Sequence, residues 1–120
     1  MRLTRRSVLM GGLSATTLSL IPQPVLAQAA PVLRAAPGRA RIGPEGAAKT
    51  AIWGYDAGVP GPAIRLKQGE RVRRRFVNDL PQASTVHWHG IRIENAMDGV
   101  PGLTQPAVAP GEDFLYDFVV

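Results

Sequence analysis

The residues of this chain best suited to chemistry are His87 and His89, its only two histidines. They lie in Ser84-Thr85-Val86-His87-Trp88-His89-Gly90 with one residue between them. On an extended backbone, side chains at i and i+2 leave on the same side, roughly 6–7 Å apart at Cα, while Trp88 leaves on the other side, towards a core. Neutral imidazole suits copper, zinc, iron and nickel. Two imidazoles complete no centre, because a tetrahedral site wants about four ligands. An isolated His-X-His triplet is more often no metal site at all. Where such a pair does bind metal, both rings often share one ion, as in cupins. The chain has no cysteine, which excludes a thiolate-bound metal and any disulfide within it.

Short β-type runs separated by turn residues must carry these side chains. The pattern predicts strands at Val32–Ala36, Lys49–Tyr55, Ala63–Leu66, Arg71–Asn78, Thr85–His89 and Asp113–Val120. Turn signals divide them at Pro37-Gly38, Gly43-Pro44, Pro60-Gly61-Pro62, Gln68-Gly69, Asn78-Asp79 and Pro110-Gly111. No useful stretch has helical periodicity. Many short strands at this spacing suggest a β-sandwich or barrel. In the run 71–78, Val72 and Phe76 share one face, Arg71, Arg73 and Arg75 share the other, and Arg74 breaks the pattern. The arginine row reads as a solvated face or a domain contact rather than an anion site. In the last run, Phe114, Tyr116, Phe118 and Val120 face inward, and Asp113 and Asp117 face outward. The chain stops on Val119-Val120 with nothing to close the strand, so a truncated domain is expected.

The N-terminus reads as an export signal. A basic start with Arg5-Arg6 precedes a mostly small and apolar stretch from Gly11 to Ile21, then Val25-Leu26-Ala27. The arginine pair after Thr4, with Leu9 following, suits the twin-arginine route, whose machinery would be a partner and the periplasm the destination. The run is too short and polar for a stable membrane span. Residues 1–27 are assigned to the signal and 28–120 to one partial domain. Removing Arg2, Arg5 and Arg6 takes the basic count from 14 to 11 against 9 acidic residues, so the net charge falls from +5 to +2. That balance gives no support to nucleic-acid binding.

From Tyr55 to Phe118 the chain resembles the first cupredoxin (plastocyanin-like) domain of the multicopper oxidases, the laccase-like family. The resemblance rests on an ordered set: Val59-Pro60-Gly61-Pro62-Ala63-Ile64-Arg65, Gly69-Glu70-Arg71-Val72, Phe76-Val77-Asn78-Asp79-Leu80, and Thr85-Val86-His87-Trp88-His89-Gly90-Ile91. It continues with Met97-Asp98-Gly99-Val100-Pro101, Gln105-Pro106, and Pro110-Gly111-Glu112 leading into Tyr116-Asp117-Phe118. The fold implied is all-β, an incomplete Greek-key cupredoxin-like sandwich or barrel.

The resemblance implies an oxidoreductase that couples one-electron oxidation of a phenolic or metal-ion reductant to reduction of dioxygen to water. It implies His87 as a ligand of a type 2 copper, and His89 as a ligand of one of a type 3 pair, in a trinuclear cluster. Gly90 would let the backbone approach the cluster closely. Asp98 would be a catalytic carboxylate near the coppers that helps deliver protons; the plainer reading of Asp98-Gly99 is a tight turn. Glu94 and Asn95 read as loop residues and Met97 as packing. The family's cluster takes eight histidines in four His-X-His pairs, and this chain supplies one pair. Its type 1 copper needs two histidines and a cysteine, expected in a missing C-terminal domain, so this segment alone is expected to be inactive. Other readings are a non-catalytic cupredoxin-fold scaffold, a copper nitrite reductase, which lacks this His-Trp-His-Gly pattern, and a cupin-like single-metal binder, which would need further ligands.

Overall fold

The computed structural model describes residues 29–120; the export-signal reading falls on residues outside the described ones. Four strands form one sheet: β1 (Val32–Ala40), β2 (Thr50–Tyr55), β3 (Arg71–Asn78) and β4 (Asp113–Val119), in spatial order β2-β1-β3-β4. β1 pairs antiparallel with β2 and parallel with β3, and β3 pairs antiparallel with β4. Helical structure among the described residues is a single 3-10 turn, Asn95–Met97. No helix among them is long and apolar enough to cross a membrane. The fold is all-β, as expected, with the described strands in one open sheet.

Alternation builds the core. Leu33 and Ala35 of β1, Val72 and Phe76 of β3, and Tyr116 and Phe118 of β4 are buried on one face. The register sets Leu33 beside Phe76, Phe76 opposite Phe114, and Val72 opposite Phe118. Leu80, Val86 and Val108, from the long connection between β3 and β4, pack onto this face. Asn78, fully buried at the end of β3, ties the connection down at both ends. Its amide donates to the carbonyls of Gln82 (2.9 Å) and Val108 (2.8 Å), and its Oδ1 accepts from the Leu80 N–H (3.1 Å). A buried amide with three partners holds a connection that has little ladder pairing of its own.

The arginine row on the outer face is paired rather than free. Arg71 and Arg73 both meet Asp117, at 2.5 and 3.4 Å, and Arg75 meets Asp113 at 2.7 Å. Cross-strand register brings these charges together: Arg73 lies directly opposite Asp117, and the other two contacts run diagonally.

Three strand expectations are corrected. β1 continues through Pro37-Gly38 to Ala40. Its pairing with β3 ends at Ala35, so beyond that point only β2 flanks it, and an edge position tolerates a proline that cannot donate. Residues 63–66 form no strand; Pro60-Gly61-Pro62 precede them, and no described strand pairs with them. Residues 85–89 form no ladder strand, because their backbone donors go to a side chain and a loop carbonyl, described below.

The Arg71 guanidinium beside Asp117 holds its carboxyl below the ordinary carboxylate value of 3.8. A folded-state value below the unfolded one gives stability that is present above the unfolded pKa and lost as pH falls through the folded one. Asp117→Asn is expected to flatten the fall in stability below about pH 4, as read by denaturant midpoints across pH, with high salt weakening the wild-type dependence.

Candidate metal centre

The segment carrying the histidines is extended but irregular, and its alternation survives. Val86 is buried and Trp88 half-buried on the core side, while His87 and His89 are exposed on the other. Trp88 meets Tyr116 and Phe118 edge-on, with ring centroids 5.5 and 5.2 Å away. Such aromatic pairs add about 0.5–1.5 kcal/mol each beyond area burial. The anchored indole fixes which side the histidines occupy. Their rings stand 5.5 Å apart at 78° to each other, the same-side arrangement that i,i+2 spacing implies.

Three interactions replace a strand ladder here. Ser84 forms an isolated bridge with Val108. The Val86 N–H donates to the buried Tyr116 hydroxyl at 3.0 Å. The Trp88 N–H donates to the Asp98 carbonyl at 3.4 Å. Burial pushes the Tyr116 phenol pKa up, and the Val86 hydrogen bond opposes that shift, so the phenol stays neutral at physiological pH.

Asp98 is the residue that the fold brings to the pair, and its backbone makes the closer contact. Its carbonyl lies 2.8 Å from His87 Nδ1, and its carboxylate Oδ1 lies 3.5 Å from the same nitrogen. A carbonyl has no proton to give, so Nδ1 carries the hydrogen and donates it. The lone pair of neutral His87 therefore sits on Nε2, the form in which a ring binds a metal while a backbone carbonyl orients it. The close approach depends on Gly99. It holds φ +80°, and a Cβ there would fall inside the Val86 carbonyl group. Thr85 secures the same crossing, its hydroxyl donating to the Gly99 carbonyl at 2.6 Å.

The other expected residues separate. Gly90 adopts φ +79°, a left-handed conformation that favours glycine. Met97 packs against the core cluster, and Glu94 and Asn95 are exposed. Thr85 and Tyr116 were not singled out as site residues from the sequence. Period-2 alternation does put Thr85 on the side of His87. A tyrosine among inward phenylalanines also signals a buried hydroxyl in need of a partner. The donor set fits copper in type, since neutral imidazole is a good copper ligand, but not in number. No group of three or more His, Cys, Asp or Glu side chains among the described residues could close round a metal.

The sequence model of the family described as multicopper oxidase matches residues 38–120. The chain belongs to the multicopper oxidase family. Among curated relatives, a copper resistance protein A homolog from Pseudomonas syringae pv. tomato is 39% identical over 83 residues, covering 69% of this chain and 14% of the relative. Copper resistance protein A from Escherichia coli is 38% identical over 78 residues, covering 65% of this chain and 12% of the relative. Among solved structures, Lac15 from a marine microbial metagenome is 49% identical with a TM-score of 0.74, covering 77% of this chain and 25% of that one. A multicopper oxidase from Pseudomonas thermotolerans is 44% identical with a TM-score of 0.68, covering 73% of this chain and 21% of that one. The chain thus spans a seventh or less of these curated relatives and a quarter or less of these solved structures. These neighbours agree with the cupredoxin-like fold expected from the sequence.

Two substitutions test the architecture of this multicopper oxidase segment. Tyr116→Phe leaves the buried Val86 N–H without a partner and is expected to cost about 1–3 kcal/mol in urea unfolding. Gly99→Ala imposes left-handed strain of about 1–2 kcal/mol on top of the clash with Val86. It is expected to lower the melting temperature more than Gly90→Ala, whose added methyl meets no neighbour.

Proposed function

We propose that this chain is the N-terminal part of a multicopper oxidase, exported by the twin-arginine route to the periplasm, that contributes His87 and His89 to a copper cluster reducing dioxygen to water. The observation that carries the reading is the oriented, same-side imidazole pair, with His87 Nε2 left as the ligating nitrogen, in a chain of this family. In the proposed assignment His87 serves a type 2 copper and His89 a type 3 copper. The split between two ions follows from the family resemblance, and the two rings stand on the same side with centroids 5.5 Å apart. The remaining imidazoles, and the cysteine of a type 1 copper, would come from sequence beyond this segment.

Bound copper would supply the electron transfer, taking single electrons from a phenolic or metal-ion reductant and passing four to dioxygen. The protein's own groups orient and protonate. The Asp98 carbonyl fixes the His87 ring. The Asp98 carboxylate, which lies 3.5 Å from His87 Nδ1, is assigned the delivery of the protons that oxygen reduction consumes. A non-catalytic cupredoxin-fold scaffold is the second reading; the intact and oriented pair argues against it.

The test is made on the full-length gene product. Purified with copper, it is expected to show a blue absorption band and to consume oxygen with a phenolic or cuprous reductant. His87→Ala is expected to lower oxygen consumption by more than the roughly 10–100-fold that loss of an outer partner of a metal ligand brings. A colourless, copper-free product without oxidase activity would overturn the proposal.

A further inference from the structure

We infer that Thr85 is a positioning residue for the metal-binding form of His87, acting through the backbone of the Asp98-Gly99 segment. The inference rests on the copper reading of His87. Thr85 does not touch the imidazole. Its hydroxyl donates at 2.6 Å to the Gly99 carbonyl, one residue beyond the carbonyl that accepts from His87 Nδ1 at 2.8 Å. The crossing point of the two segments is thus held at three places in a row: Thr85 Oγ1 to Gly99, His87 Nδ1 to Asp98, and the Trp88 N–H to Asp98 at 3.4 Å. The last of these is long, and the Asp98 carbonyl serves two donors at once, so neither bond to Asp98 alone fixes that carbonyl's direction.

Gly99 cannot fix it unaided either. A glycine at φ +80° has the widest conformational freedom of any residue, and rotation there would swing the Asp98 carbonyl away from the ring. The Thr85 hydroxyl removes that freedom. It is half-buried, so water competes with it only partly. With the latch closed, the proton stays on Nδ1 and the lone pair on Nε2. With it open, the ring can turn or exchange tautomers, and the outward nitrogen presents a proton where a metal needs a lone pair.

The experiment compares the full-length, copper-loaded gene product with Thr85→Val, Thr85→Ser and His87→Ala. Three readouts are taken: the Cu(II) electron paramagnetic resonance spectrum, the rate of copper loss to a chelator, and the melting temperature of the copper-free protein. Thr85→Val keeps the shape and removes the hydroxyl. It is expected to shift the Cu(II) hyperfine splitting and speed copper loss about tenfold, the scale of an outer partner to a metal ligand. Thr85→Ser restores the hydroxyl and is expected to return both to wild-type values. The latch is overturned if Thr85→Val matches wild type in spectrum and chelator rate while His87→Ala changes both. It is also overturned if Thr85→Val loses copper only in proportion to lost folded protein and Thr85→Ser behaves the same way. If His87→Ala leaves both metal readouts unchanged, the copper role of His87 fails, and the latch with it.

Discussion

The architecture of the site hangs on one buried hydrogen bond, from the Val86 N–H to the Tyr116 hydroxyl. Tyr116 belongs to the sheet, paired with β3 along its whole strand. Val86 belongs to a connection with little ladder pairing of its own. The phenol substitutes for the neighbouring strand that this stretch lacks, and it does so one residue before His87. In a fully buried setting such a bond has no water to replace it, which makes it a fixed constraint rather than one of several equivalent contacts. The aromatic contacts of Trp88 then act on the next inward position, so His87 is flanked by two residues tied to the core.

The same segment shows how backbone geometry can decide imidazole chemistry. The sequence directs attention to the Asp98 carboxylate, yet the nearer group is its carbonyl. A carboxylate there could accept a proton as well as a hydrogen bond. A carbonyl can only accept the bond, so it specifies a tautomer without competing for the proton. Asp98 thus meets the ring twice: its main-chain carbonyl orients Nδ1, and its carboxylate lies 3.5 Å from the same nitrogen.

What was legible in the sequence was what alternation controls. β3 and β4 were placed from their inward residues, and the same-side pairing of His87 and His89 follows from period 2 even though no ladder forms around them. What was not legible depends on partners distant in the chain. Pro37-Gly38 reads locally as a stop, but β1 passes through it because β3 has already left that edge. Arg71, Arg73 and Arg75 of β3 read as a solvated row, and they are exposed; that Asp113 and Asp117 pair with them depends on the register with β4. Gly99 reads as an ordinary turn residue. That its missing Cβ admits the Val86 carbonyl is a fact about a crossing thirteen residues back, which no local pattern encodes. Copper chemistry was legible only by resemblance, since two imidazoles do not specify a metal.

The position of Tyr116 along the chain also matters while the polypeptide is being made. His87 emerges from the ribosome 29 residues ahead of the tyrosine that anchors its neighbour. At typical translation rates of about 5–20 residues per second, that gap lasts roughly 1.5–6 s. During this interval the histidine segment lacks both the Tyr116 hydroxyl and the β4 aromatics that hold it to the sheet. Fold order therefore acts as a timer: the histidine segment can take up its anchored arrangement only after β4 has joined the sheet.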